Sequence, residues 1–588
     1  MLAPYGLAYL VKRIQEQYGP TAHRVVAERP YELTSVFGVG FVIADRIARG
    51  WAAAGGALDV QAIPGRARAG IVHVLSEAER NGSTCIRIEQ LLGSARELLG
   101  SASEGETTDA GDATDRLDEH TIDRLVAGGE LAREGDWIYR AATAELEAEL
   151  AARVVELIAS KPGGKLRAPQ PDAGGGGAGG SAGADQPALT AEQLAGVRAA
   201  LTQRLSVITG GPGTGKTASI RTIASVADGQ GARVMLVAPT GRAATRMSEA
   251  SGFPARTVHS ALGWIPGEGP THDEDDPLEC DLLVLDESSM ANQELMVTLL
   301  RAVPPTAHVV LVGDGDQLAP VGAGKPFAEL VASELVPTAR LNHIFRQAAG
   351  SMIVQGAHAI RRGEPPDFTA RDGMRRDLFL IERADAIAAR AEIVSLVSER
   401  LPAHYGVDPV SDIQVFAPVY RGEVGIDALN RALREALNPD GQPVRGGRLR
   451  IGDKLMMTGR NLHDLGLMNG TLLRLLDETD RDAGDDAALL LGTEDSVFRL
   501  APEESESLRL AYACSVHRGQ GIELAIAIIV AHPAAGAYFL RREMLYTAVT
   551  RAKLATVIVG TRDVIARAAR TPDTGSRHSR LEERLREL

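Results

Sequence analysis

The stretch "RLSVITGGPGTGKT", Arg204 to Thr217, decides the fold. A run of β-branched and apolar residues leads into the pattern GxxxxGK[ST]. Its glycines let successive backbone N–H groups converge on phosphates, and the helix that follows adds its positive N-terminus. Strand, Gly-rich turn and helix in that order predict a nucleotide-binding α/β domain. Gly210, Gly211, Pro212, Gly213, Thr214 and Gly215 form the cradle, Lys216 reaches the β- and γ-phosphates, and Thr217 ligates Mg²⁺.

The neighbouring sequence repeats the strand signal. "ARVMLVAP", "DLLVLDE" and "HVVLVGD" each end in a polar turn, the rhythm of a parallel sheet with ligand groups at its C-terminal strand ends. "LLVLDESS" sets Asp286 and Glu287 at such an end: one carboxylate to hold Mg²⁺, the other to orient or deprotonate the attacking water. An acidic helix start is the plainer alternative, and it loses ground once a phosphate loop stands upstream. "VLVGDGDQLAPVGAG" places Asp314, Asp316 and Gln317 at the next strand end, where Gln317 suits contact with the γ-phosphate or the water.

A second rhythm, "DIQVFAPV", "AIAIIVA" and "ATVIVG", predicts a second α/β domain over 411–588. Short strand-like pieces at 441–506 read as a β-rich insertion in it. Residues 188–345 form the first such domain, and 346–410 are expected as a helical connection. The tract "GGKLRAPQPDAGGGGAGGSAGADQP" cannot bury a core, so 161–187 read as a flexible linker. Upstream, apolar residues recur at three- and four-residue spacing, which predicts helices.

Composition bounds the class. At 588 residues the chain exceeds one core, and 44% hydrophobic with 24% charged residues is globular usage. Cys85, Cys280 and Cys514 lie far apart, so neither a disulfide framework nor a zinc cluster is supported, and a reducing cytoplasm fits. No run of the sequence suits a membrane span. The net charge of -14 argues against a protein that coats nucleic acid by bulk charge, while leaving room for a narrow basic channel.

The ordered series GGPGTGKT, APTGRAA, TVHSALG, LLVLDESSM, VGDGDQLAPVGAG, IFRQ, AYACSVHRGQGIE and LYTAVTRAK resembles the motifs of superfamily 1 helicases, and most nearly the RecD-like 5′→3′ DNA helicases. "VVAERPYELTSVFGVGFVIADRIAR" resembles that family's helix-hairpin-helix segment. The resemblance implies two RecA-like P-loop domains, an SH3-like insertion at 441–506, a hairpin region at 1–60 and a winged-helix-like part at 61–160. It also implies ATP and Mg²⁺, single-stranded DNA and duplex junctions as partners, a monomer, and a role in DNA repair or recombination. The sequence begins close to the hairpin, so a further N-terminal domain of many relatives is expected to be missing.

By the same resemblance Gln193 reads the adenine edge, Gln520 lies near the nucleotide and Glu523 holds the ribose. Arg346 and Arg551 are arginine fingers that meet charge on the transferred phosphoryl group from across a domain interface. DNA contacts fall to Pro239, Thr240, Arg242, Thr257, His259, Ser515 and His517, with Gly38 and Gly40 in the hairpin presenting backbone N–H groups to a phosphate. Where the family carries Lys and a small hydroxyl residue or alanine after the histidine, this chain has Arg518 and Gly519, and Gly519 is expected to loosen the loop. Two other readings stay open: a RecD-type subunit of a multi-subunit exonuclease, and a P-loop switch that controls protein contacts.

Overall fold

The computed structural model describes residues 10–36, 38–53, 60, 63, 65–100, 117–168, 189–265, 267–345, 349–458, 462, 467, 470–479, 488–493, 496–536, 538–573 and 577–588. It divides into two units. One comprises Met1–Ala151, Val321–Gly324 and Ser576–Glu587; the other comprises Ala152–Pro320 and Lys325–Gly575.

The larger unit carries two parallel sheets. In the first, the spatial order is Ala255–Thr257, Val234–Ala238, Leu282–Leu285, His308–Gly313, Leu205–Gly210 and Thr338–Leu341. Three of its strands, Leu205–Gly210, Leu282–Leu285 and His308–Gly313, are buried along their whole length. Such strands are covered on both faces, which is why they read as continuous apolar runs. Helix Lys216–Gly229 starts directly at the phosphate-loop lysine, and helix Ala191–Thr202 is held by a reciprocal cap between Thr190 and Gln193.

The second sheet orders Leu378–Glu382, Ala552–Gly560, Leu524–Ala531, Ile413–Phe416 and Ala513–Cys514, again all parallel. Its first strand corrects the expectation of a purely helical connection at 346–410. "LFLIE" pairs along Ala552–Gly560 as an edge strand, while helices Met352–Arg361 and Ala386–Ser395 flank it. The insertion is a five-stranded antiparallel sheet around Leu455, Leu473, Leu475, Leu489 and Leu491. It ends only at Leu508–Leu510, beyond the expected boundary.

The linker expectation is also corrected at its start. Leu166 is buried in the first sheet's core, Arg167 exchanges two hydrogen bonds with Gln230, and Lys165 reaches the Gly231 carbonyl. An apolar side chain with a ready pocket is docked despite its Gly/Pro neighbours. Residues 169–188 of that tract lie outside the described ones.

In the smaller unit, helices Val11–Tyr18, Ala22–Glu28 and Phe41–Ala53 form the hairpin region. Helices Arg66–Arg80, Ile88–Leu99 and Glu119–Ala127 then pack with a three-stranded antiparallel sheet of Ile86–Arg87, Trp137–Arg140 and Leu131–Glu134, a winged-helix arrangement. The C-terminal helix Leu581–Glu587 belongs here and not to the second motor domain, contrary to expectation. Leu581 and Leu585 are buried, and the fully buried Glu147 accepts hydrogen bonds from Thr84 Oγ1 (2.6 Å), Ser579 Oγ (2.9 Å) and Arg584 Nε (3.1 Å). A buried carboxylate needs such partners, and two of these three come from the far end of the chain.

Candidate nucleotide site and DNA track

The phosphate loop is shaped by close approach. A side chain on Gly210 would stand 2.6 Å from Thr214 Oγ1 and 2.9 Å from Leu341, and Gly215, at φ +81°, would drive one into Gln193 and Phe345. Backbone therefore lines the cradle. Thr214 is buried and donates to the Gly211 carbonyl at 2.8 Å, while exposed Thr217 stands on the first turn of the helix. Lys216 Nζ donates to the carbonyls of Gly210 (2.6 Å) and Gly211 (3.2 Å), so its ammonium lies over the loop. Pro212 and Gly213 form the turn that follows Gly211, with Gly213 at φ 74°.

Gln193 is buried; its amide nitrogen donates to the Gly215 carbonyl at 3.1 Å and its oxygen accepts from Thr190 N–H. Asp286 follows the strand Leu282–Leu285. Burial and the adjacent Glu287 charge raise its pKa, with Lys216 and Arg246 opposing them. A carboxylate in that condition is suited to a bound divalent cation. Glu287 adopts a left-handed backbone, φ 51°, uncommon outside glycine. Its carboxylate faces Arg246, 3.8 Å away.

Both motor domains meet at this cleft. Tyr546 donates its hydroxyl to buried Asp314 at 2.7 Å, Thr547 Oγ1 accepts from Leu318 N–H at 2.8 Å, and Gln520 Nε2 donates to the Leu318 carbonyl at 2.7 Å. Gln317 is half-buried in the same turn. Arg551 is buried and donates from Nε to the Thr547 carbonyl. Glu523 is clasped by Arg246 and by Lys553 at 3.1 Å; burial pushes its pKa up, but these cations hold it below the usual range. Arg346 lies outside the described residues. The sequence reading did not single out Tyr546, which only membership of a matched motif pointed at, and it read Arg246 with Arg242 as a cation of the DNA-track helix and not as a partner of Glu287 and Glu523, because those partners are distant in the chain.

The DNA candidates of the first domain leave adjacent strand ends, since Ala238 pairs with Thr257. Pro239 is half-buried beside Thr240, which caps helix Gly241–Ser251, Arg242 is exposed, and Thr257 caps the turn that carries half-buried His259. Ser515 and His517 follow the edge strand Ala513–Cys514 of the second sheet and are half-buried. Gly521 comes close to Thr240, where an added Cβ would stand 3.1 Å from Oγ1. Gly519 does not loosen this loop: it is buried, and a side chain there would strike the Phe416 ring. Gly38 and Gly40 are exposed just before helix Phe41–Ala53, as a backbone phosphate contact requires.

Comparison with known proteins places this arrangement. A model described as an AAA domain matches residues 188–377, one for the ATP-dependent RecD2 DNA helicase HHH domain matches 1–85, and a UvrD-like helicase C-terminal domain matches 510–559. The ATP-dependent RecD2 DNA helicase of Deinococcus radiodurans is 34% identical over 577 residues, covering 93% of this chain and 72% of that protein. The chain belongs to the RecD2 helicases. The RecBCD enzyme subunit RecD of Mycolicibacterium smegmatis, 31% identical, covers 63% of this chain, so the RecD2 match extends over more of it. Among solved structures, the Pif1 helicase from Candida albicans aligns over 68% of this chain and all of that one, at 20% identity and a TM-score of 0.40. As a RecD2 helicase the chain is an ATP-dependent DNA helicase. Among the described residues no helix is long and apolar enough to cross a membrane.

Proposed function

We propose that this helicase hydrolyses ATP in the cleft between its two motor domains and uses the cycle to move 5′→3′ along single-stranded DNA into duplex junctions. The observation that carries the reading is the joining of nucleotide and DNA elements in one cleft. Gln520 and Tyr546 of the second domain bond to the turn at Asp314–Leu318, while Gly521 lies against Thr240 at the start of the DNA helix.

In this reading the Gly210–Thr217 backbone binds the phosphates and Lys216 leaves its loop carbonyls for the β- and γ-oxygens. Thr217 and Asp286 would hold Mg²⁺, which would neutralise phosphate charge. Glu287 orients or deprotonates the attacking water, and Gln317 senses the γ-phosphate. Arg551, and Arg346 by its motif, stabilise the charge that develops in transfer. Gln193 reads adenine by exchanging its present Gly215 partner, and Glu523 turns to the ribose. Pro239, Thr240, Arg242, Thr257, His259, Ser515 and His517 line the strand, and Gly38 and Gly40 take a duplex phosphate. A cytoplasmic, monomeric enzyme is the form proposed.

A switch that regulates protein contacts has no need of these two opposed sets of strand-end groups. The test is ATP turnover with and without single-stranded DNA, then unwinding of duplexes with 5′ or 3′ tails. DNA-insensitive turnover overturns the motor reading; unwinding from 3′ tails overturns its direction.

A further inference from the structure

Arg246 sits in the middle of helix Gly241–Ser251, whose first turn is the DNA-facing Thr240–Arg242 segment. Its guanidinium meets acceptors of both motor domains. On one side is the Glu287 carboxylate at 3.8 Å; on the other are the Glu523 carboxylate, in direct contact, and the Gly521 carbonyl at 3.4 Å. The Nε of Arg246 is buried and has no hydrogen-bond partner among the described residues, so the fork is not saturated where it lies.

Arg246 is also the one cation within ion-pair reach of Glu287 among the described residues, whereas Glu523 has Lys553 as a second. Glu287 stands on a left-handed backbone, a costly conformation for a non-glycine residue, which cannot relax freely to re-aim the side chain. Where the carboxylate points is therefore set by what its side chain meets.

A planar guanidinium holds its five donors in fixed directions, and where it lies it does not meet its two carboxylates and the carbonyl equally. The contact with Glu523 is close and that with Glu287 is loose, so a small movement of helix Gly241–Ser251 against the Gly519–Glu523 loop redistributes the pairing. Proposed DNA contacts stand at the start of the helix, Thr240 and Arg242, and just ahead of the loop, Ser515 and His517.

We propose that Arg246 is a positioning residue that acts through Glu287. Without DNA it restrains the Glu287 carboxylate from the attacking water. DNA bound along both segments draws the guanidinium fully onto Glu523 and Gly521 and releases Glu287. This rests on the motor reading above and explains how one of its sites signals to the other.

The proposal gives substitutions on either side of the fork opposite signs. Arg246→Gln removes the restraint, so kcat without DNA rises about fivefold or more, the ratio of DNA-stimulated to basal turnover collapses, and binding of a non-hydrolysable ATP analogue is unchanged. Glu523→Gln leaves the guanidinium to Glu287, so basal kcat at saturating ATP falls. Arg246→Lys keeps the charge without the fork and lies between wild type and Arg246→Gln; it carries the same test should the glutamine variant fail to fold. A fall in basal kcat for both arginine variants, or the same sign for Arg246→Gln and Glu523→Gln, overturns the proposal. The wild-type protein separates the two levels: if its turnover ignores DNA, the motor reading fails; if DNA stimulates wild type and Arg246→Gln alike, only the role of Arg246 fails.

Discussion

Lys216 and Glu287 stand in the same cleft but are asked for different chemistry. With Lys216 as the loop's proposed charge on the β- and γ-phosphates, Lys216→Ala should abolish hydrolysis, measured as phosphate release. Glu287→Gln should bind the ATP analogue as wild type does while losing turnover, because only its work on water is removed; weakened nucleotide binding would make its role structural. His308 gives the first motor domain a pH dependence. It is buried on the strand His308–Gly313, its ring hydrogen-bonds the Ala200 carbonyl at 3.1 Å, and burial lowers its pKa. The unfolded chain takes up a proton near the ordinary value of 6.5 that the folded chain refuses. Its contribution to stability is therefore present above that value and is lost as the pH falls below it. Thermal unfolding at pH 7.5 and 5.5 should show a larger fall in Tm for wild type than for His308→Gln.

The C-terminal helix Leu581–Glu587 is tied to the smaller unit through two carboxylates, Glu147 on helix Ala141–Ala159 and Glu134 on a wing strand. Arg584 donates to Glu147, and both Arg580 and Arg584 reach Glu134. Arg584→Ala leaves a fully buried charge short of its cation, which costs about 3–5 kcal/mol in comparable sites. The smaller unit should lose that much stability in urea unfolding, while Arg584→Ala with Glu147→Gln recovers part of it. Equal stability of the single variant and wild type would show the helix to be an ornament of the surface. The edge strand Leu378–Glu382 carries a related lesson. Its five residues lie amid helical pattern, and they become a strand because Ala552–Gly560 offers an open edge.

Residues 578–584 bond to Thr84, Glu134 and Glu147 in the smaller unit, so the region before the linker is not a module that a cut in the linker sets free. Removing residues 1–161 alone would strip cover from Leu581 and Leu585; removing 577–588 as well avoids that exposure. The doubly trimmed chain should keep ATPase activity stimulated by single-stranded DNA, because the cleft and both parallel sheets lie in the larger unit, but should unwind tailed duplexes poorly. Parallel ATPase and strand-displacement assays check this, and full unwinding by the trimmed chain would remove the hairpin from the mechanism. For the intact protein, DNA affinity should fall as salt rises, since the proposed track consists mainly of phosphate contacts.

The phosphate loop, the Asp286–Glu287 pair and the parallel-strand rhythm are legible in sequence because their physics is local. A glycine spacing, a carboxylate at a strand end and a run of β-branched residues each act within a few positions. The antiparallel insertion is legible for the same reason. Other features join residues far apart in the chain, and no local pattern encodes such meetings. Gly519 reads as slack until Phe416 is seen filling the space a side chain would take. Glu147 reads as one more acidic helix position until Ser579 and Arg584 close over it. Arg246 reads as a surface cation on a DNA helix until folding sets Glu287 on one side of it and Glu523 on the other. Packing brings those groups within bonding distance, and a charge takes its role from the partners that burial leaves it.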